Sequence, residues 1–266
     1  MGTVTSADGT HIAFWREGAG PPLLLVHGGV CDHLAWYFVL PFLARKFTVY
    51  TYDRRGRGES GDTPPYAVER EVEDIAAMLK AIGEPAHLLG HSAGGILSLL
   101  AAERTGDLLS LMLYEPAFVV DRARERPGLE FLKKMQALLA AGNRGEVVRM
   151  AMRETLDLPE SEIAAMGAGP GWENLIAVAH TIPYDFELWN EPLVEQRVRK
   201  IQTRALLLMG SDSPSWLQIA TRAVFAALPC ASLHVLQRQE HLATVTAPEM
   251  FAQAVVKFAE QDEALG

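Results

Sequence analysis

Cysteine is nearly absent. Of the 266 residues only Cys31 and Cys230 are cysteines, and they lie far apart in the chain. Two distant cysteines do not make a disulfide framework, and no CxxC pair offers a metal or redox motif. A reduced, cytoplasmic setting is the simplest expectation, with Cys230 as a small buried apolar residue. Positive charge is also scarce. Lys and Arg number 24 against 33 Asp and Glu, a net charge of −9, which argues against a surface built for nucleic acid or an anionic membrane. No apolar run reaches the roughly 18 residues of a membrane span. The opening MGTVTSADGT lacks the basic and apolar regions of a secretory leader. Gly2 and Ser6 fit a loose myristoylation pattern, but a glycine preceding a strand is the plainer reading. HExxH, EF-hand and P-loop patterns are missing, so no metal and no cofactor are expected. GRGESG (Gly56, Gly58, Gly61) does fit GxGxxG, yet Thr63-Pro64-Pro65 forbids the helix that a dinucleotide site needs there.

What is present is a soluble composition, 49% hydrophobic and 21% charged, enough for a sizeable core. GTVTSADGTHIAFWREG reads as two short strands around an Asp8-Gly9 turn. LLLVHGG, FTVYTYD, AHLLGH, LLSLMLYEP, ALLLMGSD and ASLHVL read as buried strands. Helices are expected at 68–82, with Val72, Ile75, Ala76 and Leu79 on one face, and after AHLLGH, with Gly106 as C-cap. Ser213-Pro214 and the Thr246-to-Glu249 capping box are expected to open the last two helices. Residues 119–198 break the alternation, with helical spacing and no convincing strand. The expected architecture is therefore a mostly parallel sheet covered on both faces, built from 1–118 and 199–266. The helical block 119–198 would form a cap over the strands' C-terminal ends.

One serine stands between glycines directly after an apolar run, in LLGHSAGG. Gly90-x-Ser92-x-Gly94 at a strand-to-helix junction suits a sharp turn that exposes the Ser92 hydroxyl; a plain helix cap is the alternative. Such a serine needs a base. Among eight histidines, His11, His87 and His234 fall within strands, His91 should point away from Ser92, and His27 holds its loop. His241, on the loop after the last strand, is in the right place. Asp212, at the end of the preceding strand, is the candidate orienting acid, though it could instead cap a helix; Glu115 is its rival. Glu240 is poorly placed. The Ala93 and Gly29 N–H groups are candidate oxyanion donors. Arg54, Arg55 and Arg57 are expected to pair locally with Asp53, Glu59 and Asp62. Val30, His33, Trp172, His180, Tyr184 and Trp189 could line a pocket or simply pack.

With LLLVHGG, YDRRGRGESG, GHSAGG, LLLMGSD and a late histidine before TAPEMF in that order, the chain resembles the α/β-hydrolases that carry a helical cap. The resemblance covers the core, and the cap adds little to it. It implies Ser92 as nucleophile, His241 as base, Asp212 as acid, and Gly29 and Ala93 amides as the oxyanion hole. The implied activity is that of a serine esterase acting on a small, largely apolar substrate. A lactonase, a C–C bond hydrolase, a non-hydrolytic enzyme (hydroxynitrile lyase, cofactor-free oxygenase, perhydrolase) or, last, a ligand receptor could use the same scaffold. Gln239-Glu240 stands where relatives often carry glycine before the histidine.

Overall fold

The computed structural model describes residues 1–120, 128–155, 158–169 and 171–261. Eight strands form one sheet in the order β1-β2-β4-β3-β5-β6-β7-β8. The strands are β1 (Gly2–Thr5), β2 (His11–Glu17), β3 (Pro22–Val26), β4 (Thr48–Tyr52), β5 (Ala86–His91), β6 (Leu108–Tyr114), β7 (Ala205–Gly210) and β8 (Ala231–Leu236). The first two are the expected hairpin, pairing antiparallel with each other, and β2 also pairs antiparallel with β4; every later pairing is parallel. The parallel strands read as unbroken apolar runs because both faces are covered. Leu24 and Val26 of β3 face one apolar cluster, with Leu88 and Leu113. Leu23 and Leu25 face the other, with Leu89 and Met112.

The first cluster is closed by α2 (Val68–Ile82), α3 (Ala93–Ala102) and α10 (Ser215–Ala227). The second is closed by α1 (Leu40–Leu43), α12 (Pro248–Glu260) and Trp36, with the short α11 (Ala243–Thr246) leading into α12. Helix α2 has the expected bounds and ends on left-handed Gly83, as an αL cap should. Three expected caps differ. Helix α3 stops at Ala102, so Gly106 caps nothing. Helix α10 starts after Pro214 with no side-chain cap from Ser213. Helix α12 starts from Ala247, while the Thr246 hydroxyl bonds the Gln239 side chain instead. At α10 and α12 a proline at the junction already fixes φ, and the side-chain cap is dispensable.

Between β6 and β7 the chain builds α4 (Leu129–Ala140), α5 (Arg144–Thr155), α6 (Glu160–Gly167), α7 (Trp172–Val178), α8 (Ile182–Trp189) and α9 (Glu195–Val198). These helices enclose an apolar cluster of their own, including Met135, Val147, Trp172, Ile182 and Phe186, against which Val30 of the core packs. None of the described helices is long and apolar enough to cross a membrane. Cys230 is exposed rather than buried, because it sits in the turn before β8 rather than in the strand.

The three arginines after β4 do not pair with their sequence neighbours. Arg54 bonds Glu71 through two nitrogens at 2.6 Å each. Arg55 bonds Asp74 and Asp8. Arg57 bonds Asp185 of α8 at 2.9 Å. All three are buried, so each needs a carboxylate that can be buried with it, and exposed Glu59 and Asp62 cannot serve. Asp53 is instead consumed by the Glu59 and His33 backbone N–H groups and the His33 ring.

Candidate active site

Ser92 follows β5 and opens α3 with φ 56° and ψ −120°, a conformation that costs an L-residue about 1–3 kcal/mol. It is locked there: its N–H donates to Tyr114 O at 2.9 Å, and its carbonyl accepts from Gly95 N–H at 2.9 Å. The flanking glycines are steric necessities. A Cβ on Gly90 would sit 2.3 Å from Gly94 O, and one on Gly94 would sit 2.2 Å from Val26 O.

His241 lies on the loop after β8, and its Nδ1 meets Glu115 Oε2 at 2.6 Å. The carboxylate beside the histidine is thus Glu115, the rival acid, and not Asp212. Glu115 is the first residue past β6 and takes φ 44°, which folds its buried side chain back over the strand ends. There its other oxygen accepts Gly210 N–H at 2.8 Å. Asp212 is exposed and engaged locally, with its N–H on Gln239 O and its carboxylate accepting from the Ser211 hydroxyl.

Two residues whose role the sequence did not reveal, His91 and Tyr114, hold the His241 loop. His91 points away from Ser92, as expected, but its buried ring donates from Nε2 to His241 O at 3.0 Å and stacks on Tyr114. Burial, and secondarily the neighbouring His241 ring, push its pKa well below the usual histidine value, so it stays neutral. The Tyr114 hydroxyl donates to Glu240 O and accepts Ala243 N–H at 3.1 Å. The only signal in the sequence was their position as the last residues of β5 and β6. Tyr114→Phe leaves a carbonyl and an N–H without their shared partner. It is expected to lower unfolding stability by about 2 kcal/mol, read as a shift in the urea midpoint at constant m; an unchanged midpoint would show that the hydroxyl is dispensable.

The loop after β3 carries Gly29. His27 Nε2 accepts Arg54 N–H at 3.1 Å, so its Nδ1–H donates to Gly28 O at 2.9 Å. Burial, with Arg54 and Arg57 nearby, keeps this imidazole neutral. Arg54 Nη1 donates to the same Gly28 O at 3.0 Å. Val30, at φ 54°, gives its N–H to Asp185 Oδ2 at 3.2 Å. Ala93 is the first residue of α3, where backbone N–H groups lack helical partners. Burial pushes the Cys31 thiol up to about 12, so it supplies no thiolate to compete with Ser92.

The candidate pocket residues take distinct places. Val30 packs on the insertion's apolar cluster. His33 bonds Asp53 at 2.7 Å and stacks on Trp15. Asp32, His33 and Asp53 form a compact donor cluster, but the donors are already spent on one another and on backbone N–H groups. Trp172 is buried under Arg149. Tyr184 stacks on Tyr66 and donates to Asp62. Trp189 packs against Phe186. His180 lines an open cavity, of about 360 Å³, between Asn174, Ala177 and Val178 of the insertion and Asp32, Gly56, Ser60 and Asp62 of the core. Its Nδ1 accepts from Arg144 at 2.7 Å.

Comparison with known proteins agrees with the fold. An alpha/beta hydrolase family model matches residues 23–254. The crystal structure of an alpha/beta hydrolase from Sphaerobacter thermophilus DSM 20745 is 40% identical, covers 97% of this chain and 99% of that one, and superposes with a TM-score of 0.89. A pimeloyl-[acyl-carrier protein] methyl ester esterase of Aeromonas hydrophila is 28% identical over 181 residues, 59% of this chain and 69% of that protein. "Probable oxidoreductase EphD" of Mycobacterium bovis is 38% identical over 100 residues, 35% of this chain but only 17% of that protein. With a family model matched along most of its length and the same sheet beneath it, the chain belongs to the alpha/beta hydrolase family.

Proposed function

We propose that the chain is a serine hydrolase that cleaves a carboxylic ester-like bond in a small, largely apolar substrate, with Glu115 rather than Asp212 as the acid of its triad. Ser92 Oγ attacks the carbonyl carbon while His241 Nε2 takes its proton. Glu115 holds the other ring nitrogen and so stabilises the imidazolium that forms. The N–H groups of Ala93 and Gly29 stabilise the oxyanion. His241 returns the proton to the departing alkoxide, and water then clears the acyl-enzyme by the same steps in reverse. The helical insertion roofs this end of the sheet and selects the substrate, with its apolar cluster against Val30. No metal or cofactor takes part in these steps.

The observation that carries the reading is the 2.6 Å contact between His241 Nδ1 and Glu115, since it leaves Nε2 as the ring's basic nitrogen, while Ser92 is held in a strained turn. The test is incubation with a fluorophosphonate and p-nitrophenyl esters of graded acyl length. The phosphonyl mass is expected on the Ser92 peptide and nowhere else, with turnover highest for short acyl chains. Labelling absent, or carried by another residue, would sink the proposal.

A further inference from the structure

The two amides assigned to the oxyanion differ in support. That of Ala93 is fixed by its helix, whereas that of Gly29 stands in a loop with two glycines and a valine at positive φ. Its direction is nevertheless determined from outside. The peptide between Gly28 and Gly29 is trans, so its C=O and N–H point opposite ways. Gly28 O is drawn to the buried side by two donors, Arg54 Nη1 at 3.0 Å and His27 Nδ1 at 2.9 Å. The next N–H, that of Val30, is taken by Asp185 Oδ2 at 3.2 Å.

We propose that Asp185, brought from α8 of the helical insertion, is a positioning residue for the oxyanion hole: together with Arg54 it fixes the peptide groups on either side of Gly29 N–H and so turns that N–H toward Ser92. The proposal rests on the serine-hydrolase reading above. A second observation places the two partners on opposite sides of one thickness of chain. A Cβ on Gly29 would fall 2.8 Å from Asp185 Oδ2, and one on Gly28 would fall 3.2 Å from Ser92 Cβ. The loop therefore passes between the insertion's carboxylate and the nucleophile, and a side chain on Gly29 would push the Asp185 carboxylate away.

The charges around Asp185 have a geometric use. Its Oδ1 is shared by Arg54 Nη2 at 3.0 Å and Arg57 Nη2 at 2.9 Å, and Arg54 is forked onto Glu71. All four side chains are fully buried, two cations against two anions. Such a cluster adds little stability over apolar residues of the same volume. What it does supply is direction, because planar guanidinium forks hold carboxylates at fixed angles. The Asp185 carboxylate thereby ties the insertion to the oxyanion loop through a polar contact, beside the apolar packing of Val30.

The test removes the Arg57–Asp185 ion pair as a pair, which leaves Arg54 and Glu71 neutral together. In one variant, Arg57→Met is combined with Asp185→Leu, so Val30 N–H has no acceptor. In the other, Arg57→Met is combined with Asp185→Asn, which keeps one. Active sites are counted by fluorophosphonate titration. Turnover of a p-nitrophenyl ester and inhibition by a trifluoromethyl ketone, whose adduct with Ser92 carries an oxyanion, are then measured per titrated site. The Leu variant is expected to lose about 30-fold in kcat with KM within threefold, and to lose trifluoromethyl ketone affinity in proportion. The Asn variant should recover most of both. A merely structural role would lower Tm and the number of titratable sites but leave kcat per site and ketone affinity at wild-type values, and that result overturns the proposal. Should the Leu variant not fold, Asp185→Asn alone decides. One amide oxygen cannot serve Val30 N–H and two arginines together, so kcat per site must fall at constant KM, and a wild-type kcat refutes the idea. A wild type that the fluorophosphonate does not titrate would refute the serine-hydrolase reading first, and this inference with it.

Discussion

Glu115→Gln is expected to lower kcat for a p-nitrophenyl ester by about 10³–10⁴-fold, while Asp212→Asn changes it by less than about threefold. The asymmetry follows from counting acceptors. The Glu115 carboxylate offers two oxygens, and both are used by donors, His241 Nδ1–H on one and Gly210 N–H on the other. Glutamine offers one oxygen and one NH2. If the NH2 faces His241, Nδ1 must become the acceptor and the ring proton moves to Nε2, which can then no longer take the proton of Ser92. If the NH2 faces Gly210, two donors meet in a buried site, which costs about 1–3 kcal/mol. Either way the catalytic tautomer is lost or the pocket is destabilised. Asp212 is exposed, and its carboxylate bonds only its own neighbour's hydroxyl among the contacts seen here. Kinetics normalised to titrated sites check the pair of variants. The opposite ranking, with Asp212→Asn inactive and Glu115→Gln near wild type, would return the acid's role to Asp212.

Ser92→Gly is expected to abolish turnover, by about 10⁵-fold or more, and yet to make the protein more stable. At φ 56° and ψ −120° the serine holds about 1–3 kcal/mol of backbone strain that glycine does not feel. Glycine gives back about 0.4–1 kcal/mol through its freer unfolded chain. The net gain is about 1 kcal/mol, and Tm should rise by about 2–4 °C for a chain of this size. Ser92→Ala, which keeps the Cβ and therefore the strain, should be equally inactive with Tm unchanged. Differential scanning calorimetry of the three proteins separates these outcomes. Equal melting temperatures for all three would show that the elbow stores no strain.

Most of the scaffold was legible in the sequence for a simple reason. A strand covered on both faces has to be apolar along its length, so LLLV, HLLG and ALLLMG could be recognised without knowing their neighbours. The serine elbow was legible because its glycines are demanded locally, by atoms within four residues and by the adjoining strand. The proposed acid was harder. Glu115 and Asp212 both stand just past parallel strands, and what separates them is a left-handed φ at Glu115, a conformation that glutamate rarely takes and that nothing in YEP announces. The arginines failed for a different reason. All three are buried, and Asp185, shared by Arg54 and Arg57, lies 128 residues beyond Arg57; local charge pairing is only a sound guess for side chains that remain in water. The roles of His91 and Tyr114 in holding the His241 loop were not legible, because they depend on where a loop after β8 comes to rest, which only the assembled sheet decides.

The tie between Asp185 and Val30 also bears on how such a molecule can be recombined. A helical block inserted between two strands looks like an exchangeable cassette, to be swapped for another so that substrate preference changes and the chemistry stays. In this chain the cassette carries one of the ligands of the loop that presents Gly29, and it closes the charge balance of two arginines that belong to the core. A transplanted block without a carboxylate at that place would bring new specificity to an enzyme whose arginines were left uncompensated and whose loop was left unheld. The natural crossover points therefore lie not at the ends of the insertion but on either side of α8, which should be inherited with the core.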